Sequence, residues 1–492
     1  MPDRMNNIVY VALVSLYAIF VRWCISLNTY SGAGKKPMFG DYEAQRHWME
    51  ISYNLPVHSW YTNSSVNNLL YWGLDYPPLT AYHSWICGFL SQKINPEWVK
   101  LNTSQGYESY EHKLFMRYTV LFADVVIFFP VIFLIFKQMK IGETQMIKAA
   151  MLTLMYPGLI LIDHGHFQYN CISLGLMLFG VLFLSQGRDL LGSIAFCLAL
   201  NYKQMGLYHA LPFFCYLLGI CFQSQNQNGF FRLIKIGLAV ITTFVLCWLP
   251  FLSSVESAVQ VLHRLFPFAR GLYEDKVANV WCTLSLVIKL KNILTTDQII
   301  LLCLVSTLVI LLPLSLDLLI RPSIQRFKLA LINSSLVFFL FSFQVHEKSI
   351  LIPAIVVCLQ INKESFWCVW FGVLSTFSML PLLIKDGLTT AFIGCTLLYL
   401  ILSLTLYDLV QYTGWKKSLQ KITFSMSLLG MAVLTIGSLT VKPPVHLPDL
   451  FPVLVSAYSC VHFVIFLIYF HYRQLTLAND RVDEVVLKKK MS

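Results

Sequence analysis

Apolar runs of roughly 17–25 residues recur from one end of this chain to the other, each long enough to cross a hydrocarbon core of about 30 Å as a helix. Lipid offers the backbone no hydrogen-bonding partner, so only helices and closed barrels can span it. The period-two alternation of a barrel is absent. The fold class expected is therefore all-α and polytopic. Composition agrees: of 492 residues, 57% are hydrophobic and only 12% charged, whereas a soluble domain is about a quarter charged.

On length alone the candidate spans are 7–27, 114–136, 146–163, 170–187, 189–204, 206–223, 231–252, 296–320, 328–345, 348–362, 365–384, 387–409, 422–441 and 449–471, about fourteen transmembrane helices. The net charge of +11 does not point to a nucleic-acid partner, because the basic residues sit in short connectors between apolar runs, as the positive-inside rule produces. Connectors carrying Lys137, Lys140 and Lys148, then Arg232 and Lys235, then Arg321, Arg326 and Lys328, then Lys416, Lys417 and Lys421 are assigned to the cytosol. Both termini then face the cytosol, and the long loop 28–112 faces the lumen. Thirteen cysteines are scattered through the apolar runs without a CxxC and read as small packing residues.

Sequons at Asn63 and Asn102 agree with a lumenal loop; a third, at Asn333, falls inside a span and is expected to be silent. The tail ends Lys489-Lys490-Met491-Ser492, which resembles the dilysine retrieval address read by coat proteins on endoplasmic-reticulum membrane proteins. A basic tail beside an anionic leaflet is the plainer alternative.

With this topology the polar clusters collect on one side: the first loop, the run Asp163–Asn170, the run Asn201–Gln204, the segment 253–295 with Arg264 and Arg270, and the run Gln344–Lys348. Ionisable groups at span ends are costly to desolvate and mark functional sites. Carboxylates, imidazoles and cations at one face suit a polar substrate and an anion. Each cluster also has a structural explanation. Asp41 follows Gly40 and could simply cap a helix over Tyr42–Asn54, whose Trp48, Ile51 and Leu55 would form an interfacial apolar face. Asp75 before Pro77-Pro78 suits a turn. His164 and His166 form an HxH, but no third ligand stands at a fixed spacing, so no metal site is expected. Lys348 at a span start could snorkel to the interface.

The segments GDYEAQRHWMEI, WYTNSSVNNLLYWGLDYPPLTAYHS, HGHFQYN, LNYKQMGLYHALP, LFPFARGLYEDKVANVWC and FQVHEKSIL resemble the family of endoplasmic-reticulum glucosyltransferases that extend dolichyl-diphosphate-linked Man(9)GlcNAc(2) by its first, alpha-1,3-linked glucose. The likeness runs from about residue 36 to residue 355; beyond it the chain matches in hydropathy only. It implies a GT-C glycosyltransferase bundle whose long first lumenal loop carries interfacial helices, a dolichyl phosphate glucose donor, and an inverting transfer without metal or cofactor. It divides the chain into a catalytic membrane module 1–355 holding loop 28–112, C-terminal transmembrane helices 356–471 and a cytosolic basic tail 472–492.

By the same likeness Asp41 is the expected catalytic base, with Glu43 as the runner-up. His346 and Lys348, with Arg264 or Arg270, are expected at the donor phosphate, where charge-assisted bonds are strong. Glu43, Asp75, His166, Gln168 and an indole, Trp48, Trp60 or Trp72, are expected at the sugars. Three rivals stand beside this reading. The enzyme adding the second glucose shares the DYPP element. A transporter has a similar span count, but its ionisable groups lie near the midplane between repeated halves, which this sequence lacks. A lipid scramblase is not excluded by composition.

Overall fold

The computed structural model describes residues 2–223, 228–266, 276–409 and 413–478. The described elements are helices, with one isolated bridge between Ser64 and Asn67. Among the described residues nine helices are long and apolar enough to cross a membrane, from Ile8–Ser26 to Leu450–Leu475. A tenth span is bent by 42° between Glu143–Leu154 and Pro157–Phe167. This does not confirm the expected fourteen. Several apolar runs fold as shorter helices, Asn170–Ser185, Asp189–Tyr202 and Ser365–Phe377 among them, and hydropathy alone does not register the breaks.

The lipid-facing surfaces follow from helical spacing. In Thr296–Ile320 the residues Leu301, Leu304, Val305, Leu308, Leu312 and Leu316 are exposed along one stripe, while Cys303, Thr307, Leu311, Leu314 and Leu318 are buried on the other. Positions three and four apart share a helix face, so an all-apolar helix can face lipid and protein at once.

Two compact units arise, one from the described residues within Met1–Gly206, Leu238–Arg270 and Met379–Tyr407, the other from those within Leu207–Gly237, Gly271–Ser378 and Asp408–Ser492. In the second unit, Asn333 is fully buried and donates to Phe470 O (3.1 Å) and Gln474 Oε1 (3.0 Å). A glycan has no room there. In the first unit, the helix Asp41–Asn54 is buried on nearly every side. Trp48 and Ile51 pack with Ala44, Trp60, Tyr61, Leu74, Ala81, Phe251, Val261 and Leu265. The apolar face expected at the bilayer interface is thus covered by the rest of the loop and by residues 251–265, each large side chain contributing about 1.5–3 kcal/mol of burial.

The opposite face of that helix carries charge. Arg46 Nη2 donates to Glu43 Oε1 and Glu50 Oε2, both at 2.7 Å, and its Nη1 donates to Ser104 Oγ at 2.7 Å. Asn102 N–H donates to Glu50 Oε1 at 2.7 Å, and Tyr71 OH to Glu43 Oε1 at 2.8 Å. Spacings of three and four residues place these groups on one face. The cluster ties residues 71, 102 and 104 of the loop to the helix. Deeper in the same unit, Asp124 Oδ2 meets Arg22 Nε at 2.5 Å and His164 Nε2 at 3.0 Å, all three buried.

Candidate active site

Gly40 places the start of helix Asp41–Asn54. Its backbone is extended, and a Cβ there would lie 2.5 Å from Ser31 Oγ, a clash that glycine alone avoids. Asp41 is the first helical residue, and Gly40 is the N-cap position, with no side chain to cap. The Asp41 carboxylate turns to other partners: Gln168 Nε2 donates to its Oδ2 at 2.5 Å, and His166 Nε2 lies 3.1 Å from the same oxygen. Capping therefore does not explain this aspartate. Its side chain is 24% exposed, while that of His166 is 2% exposed.

The partners come from the break that ends the bent span. Residues Leu161–Phe167 wind as wide π-turns and close on Phe167 at φ 92°, a conformation a bulky residue adopts only when its surroundings impose it. Imposed it is: Arg117 Nη2 donates to Gly165 O at 2.8 Å and Thr29 O at 3.0 Å, and Ser31 N–H donates to His166 O at 3.0 Å. Wide turns of this kind concentrate at functional sites. Here they separate the two histidines of the HxH, sending His164 to Asp124 and His166 to Asp41.

Behind Gln168 lies a second layer. Lys203 Nζ donates to Gln168 Oε1 at 3.0 Å and to Asn170 Oδ1 at 2.7 Å, and it sits 5.2 Å from the centre of the Tyr76 ring. Asn170 Nδ2 donates to Asp163 Oδ1 at 2.7 Å. Burial pushes the Tyr76 phenol well above its ordinary value, and the charges of Asp75, Asp41 and Asp163 push it the same way.

Other expected residues take different places. Glu43 is buried against Arg46, Tyr71 and Gly106 N–H, and its oxygens serve the loop. Trp48 is buried, donating to Trp72 O at 2.9 Å, and Trp60 is buried, donating to Leu55 O at 3.0 Å. Of the three indoles Trp72 alone is partly exposed. His166 and Gln168 are almost fully buried and direct polar atoms to Asp41, Asp386 and Lys203, so they hold the Asp41 carboxylate. Asp75 stays half-buried in the turn before Pro77. Arg264 donates to Leu74 O at 3.1 Å and Gly73 O at 2.7 Å, bracing that turn. Arg270 and the Lys489-Lys490 tail lie outside the described residues. His346 and Lys348 belong to the second unit, flanking the start of the turn Glu347–Ile350, both partly buried.

A profile of the ALG6, ALG8 glycosyltransferase family matches residues 18–469. The chain belongs to this family. It is 53% identical over 484 residues to the dolichyl pyrophosphate Man9GlcNAc2 alpha-1,3-glucosyltransferase of Gallus gallus, covering 94% of this chain and 96% of that relative. The protein of the same name in Mus musculus is 51% identical over 486 residues, with 94% and 96% covered. A relative from Dictyostelium discoideum, named as a probable enzyme of this kind, is 46% identical over 505 residues, with 97% of each covered. The Asp41 carboxylate is thus partly exposed, held at one oxygen by an imidazole and an amide, with the Lys203 ammonium behind the amide.

Five residues of this network escaped the expected set. Tyr76, Asp163, Asn170 and Lys203 lie inside the polar runs already marked by sequence. Asp386 lies in no such run.

Proposed function

We propose that this chain transfers glucose from dolichyl phosphate glucose to dolichyl-diphosphate-linked Man(9)GlcNAc(2), with inversion, forming the first alpha-1,3-glucose linkage of the N-glycan precursor at the lumenal face of the endoplasmic-reticulum membrane. The observation that carries the reading is the pinned Asp41 carboxylate, which an N-cap would not produce. A single displacement needs one base on the acceptor hydroxyl. Asp41 takes that proton as the hydroxyl oxygen bonds to C1 of glucose; the bond from C1 to the phosphate oxygen breaks, and its electron pair leaves on dolichyl phosphate. Phosphate is a competent leaving group, so no separate acid is required. His346 and Lys348 serve its growing charge, a kind of stabilisation that acts most strongly in the transition state. Gln168 and Lys203 keep Asp41 aimed.

The relatives named for the first glucose favour this over the second-glucose reaction. The test is transfer by the purified full-length protein, in detergent with EDTA, from a short-chain dolichyl phosphate glucose to Man(9)GlcNAc(2) and Glc(1)Man(9)GlcNAc(2) lipid analogues. Glucose should appear on the first acceptor, with or without chelator. Transfer to the second acceptor alone would move the assignment to the second-glucose enzyme, and transfer to neither by folded protein would overturn the enzymatic reading in favour of a transport protein.

A further inference from the structure

His166 touches a carboxylate at each ring nitrogen. Nε2 lies 3.1 Å from Asp41 Oδ2, and Nδ1 lies 2.5 Å from Asp386 Oδ2; the His166 and Asp386 side chains are only 2% and 3% exposed. Asp386 is itself anchored through its backbone: Thr29 Oγ1 donates to Asp386 O at 2.6 Å, and Lys35 Nζ donates to the neighbouring Lys385 O at 2.9 Å. Other charged groups nearby are engaged elsewhere. Arg117 donates to Gly165 O, His164 faces Asp124 and Arg22, and Asp163 accepts from Asn170 and from Cys171 N–H.

A neutral imidazole carries one N–H and one lone pair. The shorter contact, to an ionised carboxylate that can only accept, places the N–H on Nδ1. Nε2 then offers its lone pair towards Asp41. Such a contact is unfavourable while Asp41 is ionised and the ring is neutral, and it becomes favourable as soon as one proton enters it. Supplying that proton is what a base on the acceptor hydroxyl does.

We propose that Asp386 and His166 form a proton relay behind Asp41, with Asp386 a positioning residue that fixes the His166 tautomer. This rests on the reading of Asp41 as the base. The acceptor O–H bond breaks and its proton goes to the Asp41 carboxylate; the proton then moves to the Nε2 lone pair, leaving Asp41 ionised and an imidazolium held between two carboxylates. That second transfer turns a neutral acid and a neutral ring into an ion pair with no change in net charge, and the proton leaves to solvent or to the departing phosphate before the next cycle. The arrangement is the orienting logic of a carboxylate behind a histidine, placed here behind a carboxylate base.

Asp386→Asn tests it. An asparagine amide at the same place donates to Nδ1 and so forces the N–H onto Nε2, which keeps the ring in position but removes the lone pair facing Asp41. We expect kcat to fall about 10–100-fold, with KM for donor and acceptor within about twofold and an unchanged melting temperature, and with no further loss when it is combined with Asp41→Asn, since groups acting as one unit are not additive. Asp386→Asn with wild-type kcat would overturn the relay. If this variant does not fold, His166→Gln is the second test: folded protein with wild-type kcat would overturn the relay equally, and a comparable fall with KM unchanged would support it. Failure of the parent reading looks different, because it appears as an inactive wild type or an active Asp41→Asn.

Discussion

Replacing Asp41 by asparagine separates a base from a structural carboxylate. Asparagine has nearly the same shape and keeps an oxygen for Gln168 Nε2, the shortest contact of the native carboxylate at 2.5 Å. What disappears is the negative charge facing His166 and the ability to take a proton. General-base catalysis is worth about 10²–10⁴-fold, which is about 3–5 kcal/mol of barrier. The cost in stability is far smaller, since the native carboxylate is 24% exposed and its bond from Gln168 Nε2 survives on the asparagine oxygen, weakened only by the loss of charge, a change of about 1 kcal/mol by the usual worth of a hydrogen bond. The assay is glucose transfer to the Man(9)GlcNAc(2) lipid analogue under saturating substrates, with thermal melting of the same samples. kcat should fall by two to four orders of magnitude while the melting curve barely moves. Asp41→Glu retains a carboxylate but displaces it by about one bond, and a misplacement near 1 Å costs about 10²-fold. Asp41→Asn retaining more than a tenth of wild-type kcat would refute the assignment and leave this aspartate only a partner of the π-turn.

Arg46→Leu should lower stability by about 3–5 kcal/mol, because it strands two buried carboxylates, Glu43 and Glu50; a melting curve reads this directly. For Glu50, burial raises its affinity for a proton, but the His47 hydrogen bond and the Arg46 charge outweigh it and hold the carboxyl below its ordinary 4.5. The sign follows: the contribution of this group is complete above about pH 4.5 and is lost as pH falls through the lower folded value, so Glu50→Gln should flatten the stability profile on the acid side of pH 4.5, as acid denaturation would show. Lys348→Ala should lower kcat/KM for the donor about 10–100-fold, the worth of a hydrogen bond to a charged group, and Lys348→Arg should recover most of it; unchanged kinetics would return Lys348 to interfacial anchoring. Trp72→Ala should weaken acceptor KM several-fold while Trp72→Phe restores it, if this partly exposed indole meets a sugar face; equal KM in all three proteins would exclude the contact.

What the sequence could and could not disclose divides by the range of the interaction. Asp41 was legible as a candidate base, and the helix expected over Tyr42–Asn54 starts one residue earlier, at Asp41, because both signals are local. The choice between cap and base was not legible, since it depends on where His166 and Gln168 lie, more than a hundred residues away. Those two residues were visible as a polar cluster, but a cluster does not name its partner; His166 inside the π-turn and Gln168 just after it both meet Asp41. The 3.6-residue spacing of Trp48 and Ile51 correctly predicted an apolar helix face. It could not say that loop residues and 251–265, not lipid, would cover it. The span count is not confirmed for a related reason: hydropathy sums apolar length without registering where the backbone bends or a helix stops. Asp386 had no signal at all, being one acidic residue in a two-residue connector between apolar runs.

The reach of that residue bears on how the protein is made. Asp386 lies 220 positions beyond the histidine it meets and 357 beyond the threonine that fixes its backbone. A ribosome delivers the chain from the N-terminus, so helix Asp41–Asn54 and the π-turn are made long before the connector at 385–386 exists. Throughout that interval Asp41 can fold into place without the carboxylate behind its histidine. The site is therefore finished late, and nascent chains stopped between residue 265, where the cover of helix Asp41–Asn54 is complete, and residue 386 would hold His166 against Asp41 without the second carboxylate. Translation itself acts as the timer that arms the site.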